Sequence, residues 1–335
     1  MNNTNTNFIR KLLPSEFDIL HNQKQYLPNN FIQEDIKLPI TDVTIKKGSR
    51  IKILIDKHGK AYNNIRLILP IKYDNIDDIN LDDIFCNIQF ESGILIDQLH
   101  GHNLTMLLKM KKLSCTIFNN TIIVPLPFDI LSENNVFRHD ISYNNDQYLY
   151  IEFGYKYDIG SNCDLLITYY NYDNMSTEPK NIINKYVQNF PSMEHAHIYS
   201  TISNHCIKEQ YNCNNLNSYA LNLRNNNVNS LMFTFFDENK HMLKNYQFDS
   251  ITLMFNDNEI MHNSQISVLN KTIQKFGSFY GFYYMELGNI LDNNLLVTLL
   301  IEPNDPNGNA KFIDIMTIGY DVLLCYDGRY GKKFY

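Results

Sequence analysis

Five side chains able to bind a soft metal fall within 19 residues: His195, His197, His205, Cys206 and Cys213. Imidazole nitrogen and thiolate sulfur are zinc ligands, and four of them within reach of one point could close a tetrahedron. The spacing follows no standard zinc pattern and contains no Cys-x-x-Cys pair. A strand over 197–202 would drive the ends of the cluster apart, so the preferred reading is a polar connecting segment. Paired carboxylates at Asp77–Asp78 and Asp82–Asp83 have the composition for general acid–base work, but a solvated loop accounts for them. The stretch EPNDPNGN at 302–309 offers oxygen atoms suited to calcium without the spacing of an EF-hand loop, and reads as a turn between the last two strands. Phosphate-loop, His-Glu-x-x-His, Gly-x-Ser-x-Gly and dinucleotide motifs are absent from the sequence. No catalytic residue, cofactor-binding residue or metal ligand is assigned, and the chain is read as a non-enzyme.

Composition narrows the classes further. The chain has 335 residues, 44% hydrophobic and 13% aromatic, with no Trp. That is enough apolar material for one large or two medium cores. The net charge of −7 argues against wholesale neutralisation of phosphates, so no direct nucleic-acid partner is expected. The opening MNNTNTNF lacks the regions of a signal peptide, and no run of about 18 apolar residues is present. Six scattered cysteines in a long chain fit reduced thiols better than a disulfide framework. Asn makes up about one residue in seven, against a usual few per cent. Asn-x-Ser/Thr sequons start at Asn2, Asn103, Asn119, Asn174 and Asn270; chance supplies several in so Asn-rich a chain, and host-type glycosylation is not expected.

The elements that would position any of these groups are mostly strands. Alternation of apolar and polar residues marks 50–56, 65–71, 84–90, 148–156, 164–170, 219–223, 230–236, 249–255, 294–301 and 312–324. Phe90, Ile151, Phe153 and Leu166 are expected on inner faces, and alternation puts Leu149, Ile151, Phe153 and Tyr155 on one face. Helices are expected at 15–22, at 104–112 with Asn103 as cap, and at 178–187 with Pro179 in the first turn. GSFYGFYY at 277–284 is the segment whose aromatics a loop-based binding module would expose. IIVPLPFDIL at 122–131 reads as a strand interrupted by Pro125 and Pro127, which fits an edge or a strand leaving its sheet.

Three segment pairs repeat in order. Residues 88–97 align with 253–262, 148–153 with 295–300, and 164–170 with 314–320. Three matches at similar offsets imply two copies of one β domain of about 150 residues, the size of a jelly roll. The expectation is all-β: two tandem eight-stranded jelly rolls with a few short helices. The divisions are an N-terminal arm with a short helix (1–39), a first jelly roll (40–175), a linker helix (176–194) and a second jelly roll (195–335).

Several stretches carry a resemblance to a known family. They are VPLPF at 124–128, CNIQFESGILIDQLHG at 86–101, LLITYYNYDNMSTEPKNIINK at 165–185, ALNLRNNNVNSLMFTF at 220–235 and IGYDVLLCYDGRYGKKFY at 318–335. Collectively, over roughly 40–335, the chain resembles the double jelly-roll major capsid proteins of nucleocytoplasmic large DNA viruses, as a short, divergent member. The resemblance implies a capsid structural protein forming pseudo-hexagonal homotrimers in an icosahedral shell. Its implied partners are further copies of itself, neighbouring capsomers, minor capsid proteins and, through other proteins, an internal membrane. Its implied location is the virion, with host cytoplasm during assembly. The alternatives are a minor capsid or membrane-scaffold paralogue, a jelly-roll carbohydrate-binding attachment module and, third, an enzyme on a jelly roll.

Overall fold

The computed structural model describes residues 31–40, 44–72, 80–131, 137–138, 145–172, 193–222, 227–239, 241–244, 246–255, 258–287, 296–305, 307–326 and 329–332. The expected helices at 15–22 and 178–187 lie outside them. The described residues of 19–199 and 322–333 form one compact unit, and those of 200–321 form the other.

In the first unit the strands are β1 (Phe31–Ile40), β2 (Arg50–Leu54), β3 (Ala61–Leu69), β4 (Phe85–Ser92), β5 (Leu95–His100), β6 (Thr116–Phe118), β7 (Thr121–Pro125), β8 (Phe137–Arg138), β9 (Gln147–Phe153) and β10 (Cys163–Tyr172). A six-stranded sheet runs β1-β10-β3-β7-β6, with β8 on β3; a four-stranded sheet runs β2-β9-β4-β5. Period-two patterning sets which side chains face inward. In β3, Ile65, Leu67 and Leu69 are fully buried, while the intervening Arg66 and Ile68 are half-buried. The sheets meet through aromatics: Phe90 of β4 lies 6.5 Å from Tyr62 of β3 and 5.1 Å from Phe137 of β8. The C-terminal residues join this unit, and Tyr330 packs its ring 4.7 Å from that of Phe137.

The remaining strands are β11 (Met193–Gln210), β12 (Asn217–Asn222), β13 (Asn227–Phe236), β14 (Phe248–Phe255), β15 (Asn258–Ser264), β16 (Phe282–Glu286), β17 (Leu296–Pro303), β18 (Phe312–Tyr326) and β19 (Arg329–Lys332). A five-stranded sheet runs β11-β18-β13-β16, with β19 on β18; a second four-stranded sheet runs β12-β17-β14-β15. Phe233, Phe248 and Tyr283 form the centre of the second core, Phe248 lying 5.7 Å from Phe233 and 5.0 Å from Tyr283.

The two strand orders are the same order. Counted within each half, with the terminal β19 left aside, both large sheets place the first strand beside the last, then the third; both small sheets run second, penultimate, fourth, fifth. The three repeated sequence pairs fall on counterpart strands: β4–β5 with β14–β15, β9 with β17, and β10 with β18. Each half is therefore an antiparallel jelly roll.

Three α-helices are described, α1 (Leu81–Ile84), α2 (Gly101–Met110) and α3 (Gln265–Phe276), besides a 3-10 turn at Asp129–Leu131. Asp82 and Asp83 lie in the helical turn α1 rather than in a loop, and Asp83 accepts from Lys156 Nζ at 2.6 Å. α2 starts three residues before the expected 104, and Asn103 lies inside it, buried, rather than capping it. The chain passes from β5 into α2 without a loop because Gly101 sits against the Phe85 carbonyl, where an added Cβ would come within 1.7 Å of the oxygen. α3 was not marked by the strand and helix patterns, although Ser264 caps it by accepting from the Ser267 N–H and Gly277 ends it at φ +83°.

Leu166, expected inward, and Tyr155, expected on the face of Ile151 and Phe153, lie elsewhere. Leu166 is half-buried on the outer face of the six-stranded sheet, because Leu165 and Ile167 take the inner positions. β9 ends at Phe153, and Tyr155 beyond it is 71% exposed. Gly154 breaks the strand where it crosses close to the Asp83 carbonyl. Phe90, Ile151 and Phe153 are buried as expected.

Candidate functional site

The histidine–cysteine cluster does not converge along the backbone. His195, His197, His205 and Cys206 all belong to β11. Ten residues of strand separate His195 from His205, about 33 Å at the rise of an extended chain. Cys213 follows in a turn, where its Sγ donates to the Ala310 carbonyl at 2.7 Å. Asp77 and Asp78 lie outside the described residues. In the 302–309 stretch the buried Asp305 organises the turn: its Oδ2 accepts from the Ala310 N–H at 3.0 Å, and its carbonyl accepts from the Gly308 N–H. The aromatics of 277–284 turn inward; Phe282, Tyr283 and Tyr284 are buried in β16, and Phe279 packs 4.9 Å from Tyr283. They form no exposed loop cluster of the kind a binding module would use.

The proline pair has a geometric explanation. β7 pairs with β3 in the register Arg66↔Pro125, and Leu126 donates its N–H to the Ile65 carbonyl at 2.9 Å. Hydrogen-bonded and non-bonded pairs alternate in an antiparallel ladder. Pro125 and Pro127, one residue either side of Leu126, therefore have the nitrogens that point away from β3. On that side β6 pairs only as far as Thr116↔Ile123. The i, i+2 spacing thus removes two N–H groups from an open edge and keeps the bond between them, which blocks addition of a foreign strand there.

Beside this edge the outer face of the six-stranded sheet forms the floor of a groove of about 740 Å³. Cross-strand register places Lys37, Leu166, Arg66 and Pro125 in one row, and Pro39, Asp164, Ile68 and Ile123 in the next. Several charges on this outer face are paired. Arg66 Nη2 donates to Asp35 Oδ2 at 3.0 Å, Thr168 Oγ1 donates to Asp35 Oδ1 at 2.6 Å, and Lys37 Nζ lies 2.7 Å from Asp164. Desolvation is the largest single influence on the Asp35 carboxyl and raises its pKa. The hydrogen bond from Thr168 and the bond and charge of Arg66 outweigh it and hold the pKa below the ordinary value. At the rim, Lys111 and Asp129 form a 3.0 Å ion pair. The sequence held no signal for this network, whose Asp35–Thr168 and Asp35–Arg66 bonds span 133 and 31 residues.

The counterpart face, on the five-stranded sheet, is closed. Its rows Phe282–Thr234–Asp314 and Tyr284–Met232–Met316 contain no residue more than 6% exposed, while in the row Glu286–Ser230–Ile318 the edge residue Glu286 is exposed. Phe276 of α3 sets its ring 5.3 Å from Phe282 and 5.4 Å from Tyr284. The outer face of the β2-β9-β4-β5 sheet is open and mixed, with Lys52 over the Tyr148 ring at 3.7 Å and Arg50 bound to Glu152 at 2.8 Å.

No family model matches the sequence, and no curated protein matches it. Solved structures do match in fold. A quasi-atomic model of the PBCV-1 virus capsid aligns at TM-score 0.64 and 12% identity, covering 92% of this chain and 98% of that one. The Faustovirus major capsid protein aligns at TM-score 0.60 and 7% identity, covering 90% and 91%. The structure of the Sputnik virophage by cryo-EM gives 0.59 and 6%, covering 93% and 91%. These likenesses run through both halves, and the fold is that of the double jelly-roll major capsid proteins.

Proposed function

We propose that this protein is a structural component of a viral capsid, assembling as pseudo-hexagonal homotrimers into an icosahedral shell. The observation that carries the reading is the duplicated strand order, matched over about nine-tenths of both chains to proteins of viral capsids. Duplication gives it physical sense. Three chains of two like domains place six like domains around a threefold axis, an approximation to sixfold symmetry that tiles a closed lattice. On this reading the work is contact-making rather than catalysis. The partners are further copies of the chain, neighbouring capsomers and minor capsid proteins, with any internal membrane reached through those proteins. The protein gathers in host cytoplasm and ends in the virion. Native mass spectrometry of the purified protein tests the reading: a dominant species at three times the 39.4 kDa chain is expected. A monomer at the highest attainable concentration would favour a minor component or an attachment module.

A further inference from the structure

We infer that the hairpin of β18 and β19 is a strap that closes the core of the first jelly roll, so that the first jelly roll reaches its finished state only after the second has been made. The inference stands on the path of the chain and does not rest on the capsid reading.

The path is the first observation. The described residues of the second unit form one continuous run, 200–321, whereas the first unit combines residues before 200 with residues 322–333. All of the second unit thus lies, in sequence, between the bulk of the first and the piece that completes it. β18 carries the chain from one unit to the other: it pairs with β13 over Phe312–Tyr320 and with β19 over Leu323–Tyr326.

The second observation is what the hairpin covers. Tyr330 of β19 is 4% exposed and sets its ring 4.7 Å from that of Phe137. Phe137 belongs to β8, a strand of two residues that pairs with β3 through Ala61↔Arg138 and Tyr62↔Phe137. So short a strand contributes little by itself, and the side chains around Phe137 fix its place. Phe137 in turn packs 5.1 Å from Phe90 of the facing sheet and 5.6 Å from Tyr62. Tyr330, Phe137 and Phe90 therefore form one line of rings, from the strap to the contact between the two sheets. Burial holds the Tyr62 phenol well above its ordinary pKa, and the neighbouring phenols of Tyr169 and Tyr330 add to the effect. Tyr330 is thus beside Tyr62 as well.

The third observation is that the strap is too small to stand alone. β19 is four residues long and, among the described strands, pairs with β18. A two-stranded hairpin is marginal in water unless one face packs on something. Leu323, opposite Lys332 in this hairpin, is fully buried, as is Phe137 beneath Tyr330. Strap and core therefore form together. The rings of the first half stay uncovered until residues 322–332 exist, and the hairpin stays loose until it meets them. A chain interrupted before Tyr330 leaves the line of rings open at Phe137, so the device withholds a finished first half from incomplete chains.

Hydrogen exchange read peptide by peptide tests this on the full chain. In Tyr330→Ala the native-state amides of β3, β4 and β9 should exchange at least about tenfold faster than in wild type, while those of β13, β14 and β17 keep the wild-type rate. No change in β3 and β4, or equal acceleration in both halves, would overturn the strap. Should the variant fail to fold, pulse labelling during refolding of wild type from urea decides instead. β3 and β4 should gain protection no sooner than residues 322–332. Protection of β3 and β4 while 322–332 still exchange freely would overturn the inference.

Discussion

At the scale of single residues, burial sets reactivity as well as stability. Desolvation pushes the thiols of Cys115 and Cys163 up to about 11, with the nearby Asp164 adding to the second. A raised thiol pKa means less thiolate at a given pH, and thiolate is the reactive form. At pH 8 each should therefore hold on the order of a thousandth of its sulfur as thiolate. Maleimide labelling of native protein at that pH should leave both unmodified over hours and reach them on unfolding; prompt labelling of the native state would show that the strands do not bury them. Phe153, fully buried with its ring 5.7 Å from that of Phe85, anchors one end of the first core. Phe153→Ala should lower unfolding free energy by about 3–5 kcal/mol in urea titrations, and a loss under about 1 kcal/mol would contradict its placement. Phe153 was legible because its strand alternates cleanly. Leu166 was not, because CDLLITYYNY is apolar on both faces and its pattern alone does not say which of Leu165 and Leu166 faces inward.

At the scale of elements, strands were read more surely than helices. Ten alternating segments became strands with ends shifted by a few residues, since a half-buried strand writes its period into the sequence. β1 left no such trace: most of its side chains are exposed, and its place is fixed by pairing along its whole length with β10. α3 had a readable Ser cap, a Gly end and apolar residues at helical spacing, although only Val268 and Thr272 are fully buried. The start of α2 depended on a contact far along the chain, the closeness of Gly101 to Phe85, which local sequence does not reveal. That closeness gives a prediction. Gly101→Ala has to move either β4 or the helix start, and overpacking of this kind costs about 1–3 kcal/mol. A thermal melt lowered by several degrees is expected, and an unchanged melt would mean that the helix begins elsewhere.

At the scale of the whole molecule, the duplication was legible from three weak matches in the same order, while the surfaces were not. Sequence period distinguishes inner from outer residues on one sheet. It does not say that one outer face is closed and its counterpart open, because that depends on what packs against each. This is why the histidine–cysteine cluster drew attention in the sequence and the Asp35–Arg66–Thr168 face did not. The metal-capable residues are near in sequence, but four are spread along one strand and the fifth lies in the turn beyond it, whereas the groove residues are distant in sequence and adjacent across strands. The central claim, that a duplicated jelly roll is built to tile, is tested most directly by electron microscopy of the purified wild-type protein with no symmetry imposed during averaging. The account predicts particles with threefold symmetry and a six-lobed, near-hexagonal outline. Single chains as the sole particle, or assemblies without a threefold axis, would contradict it.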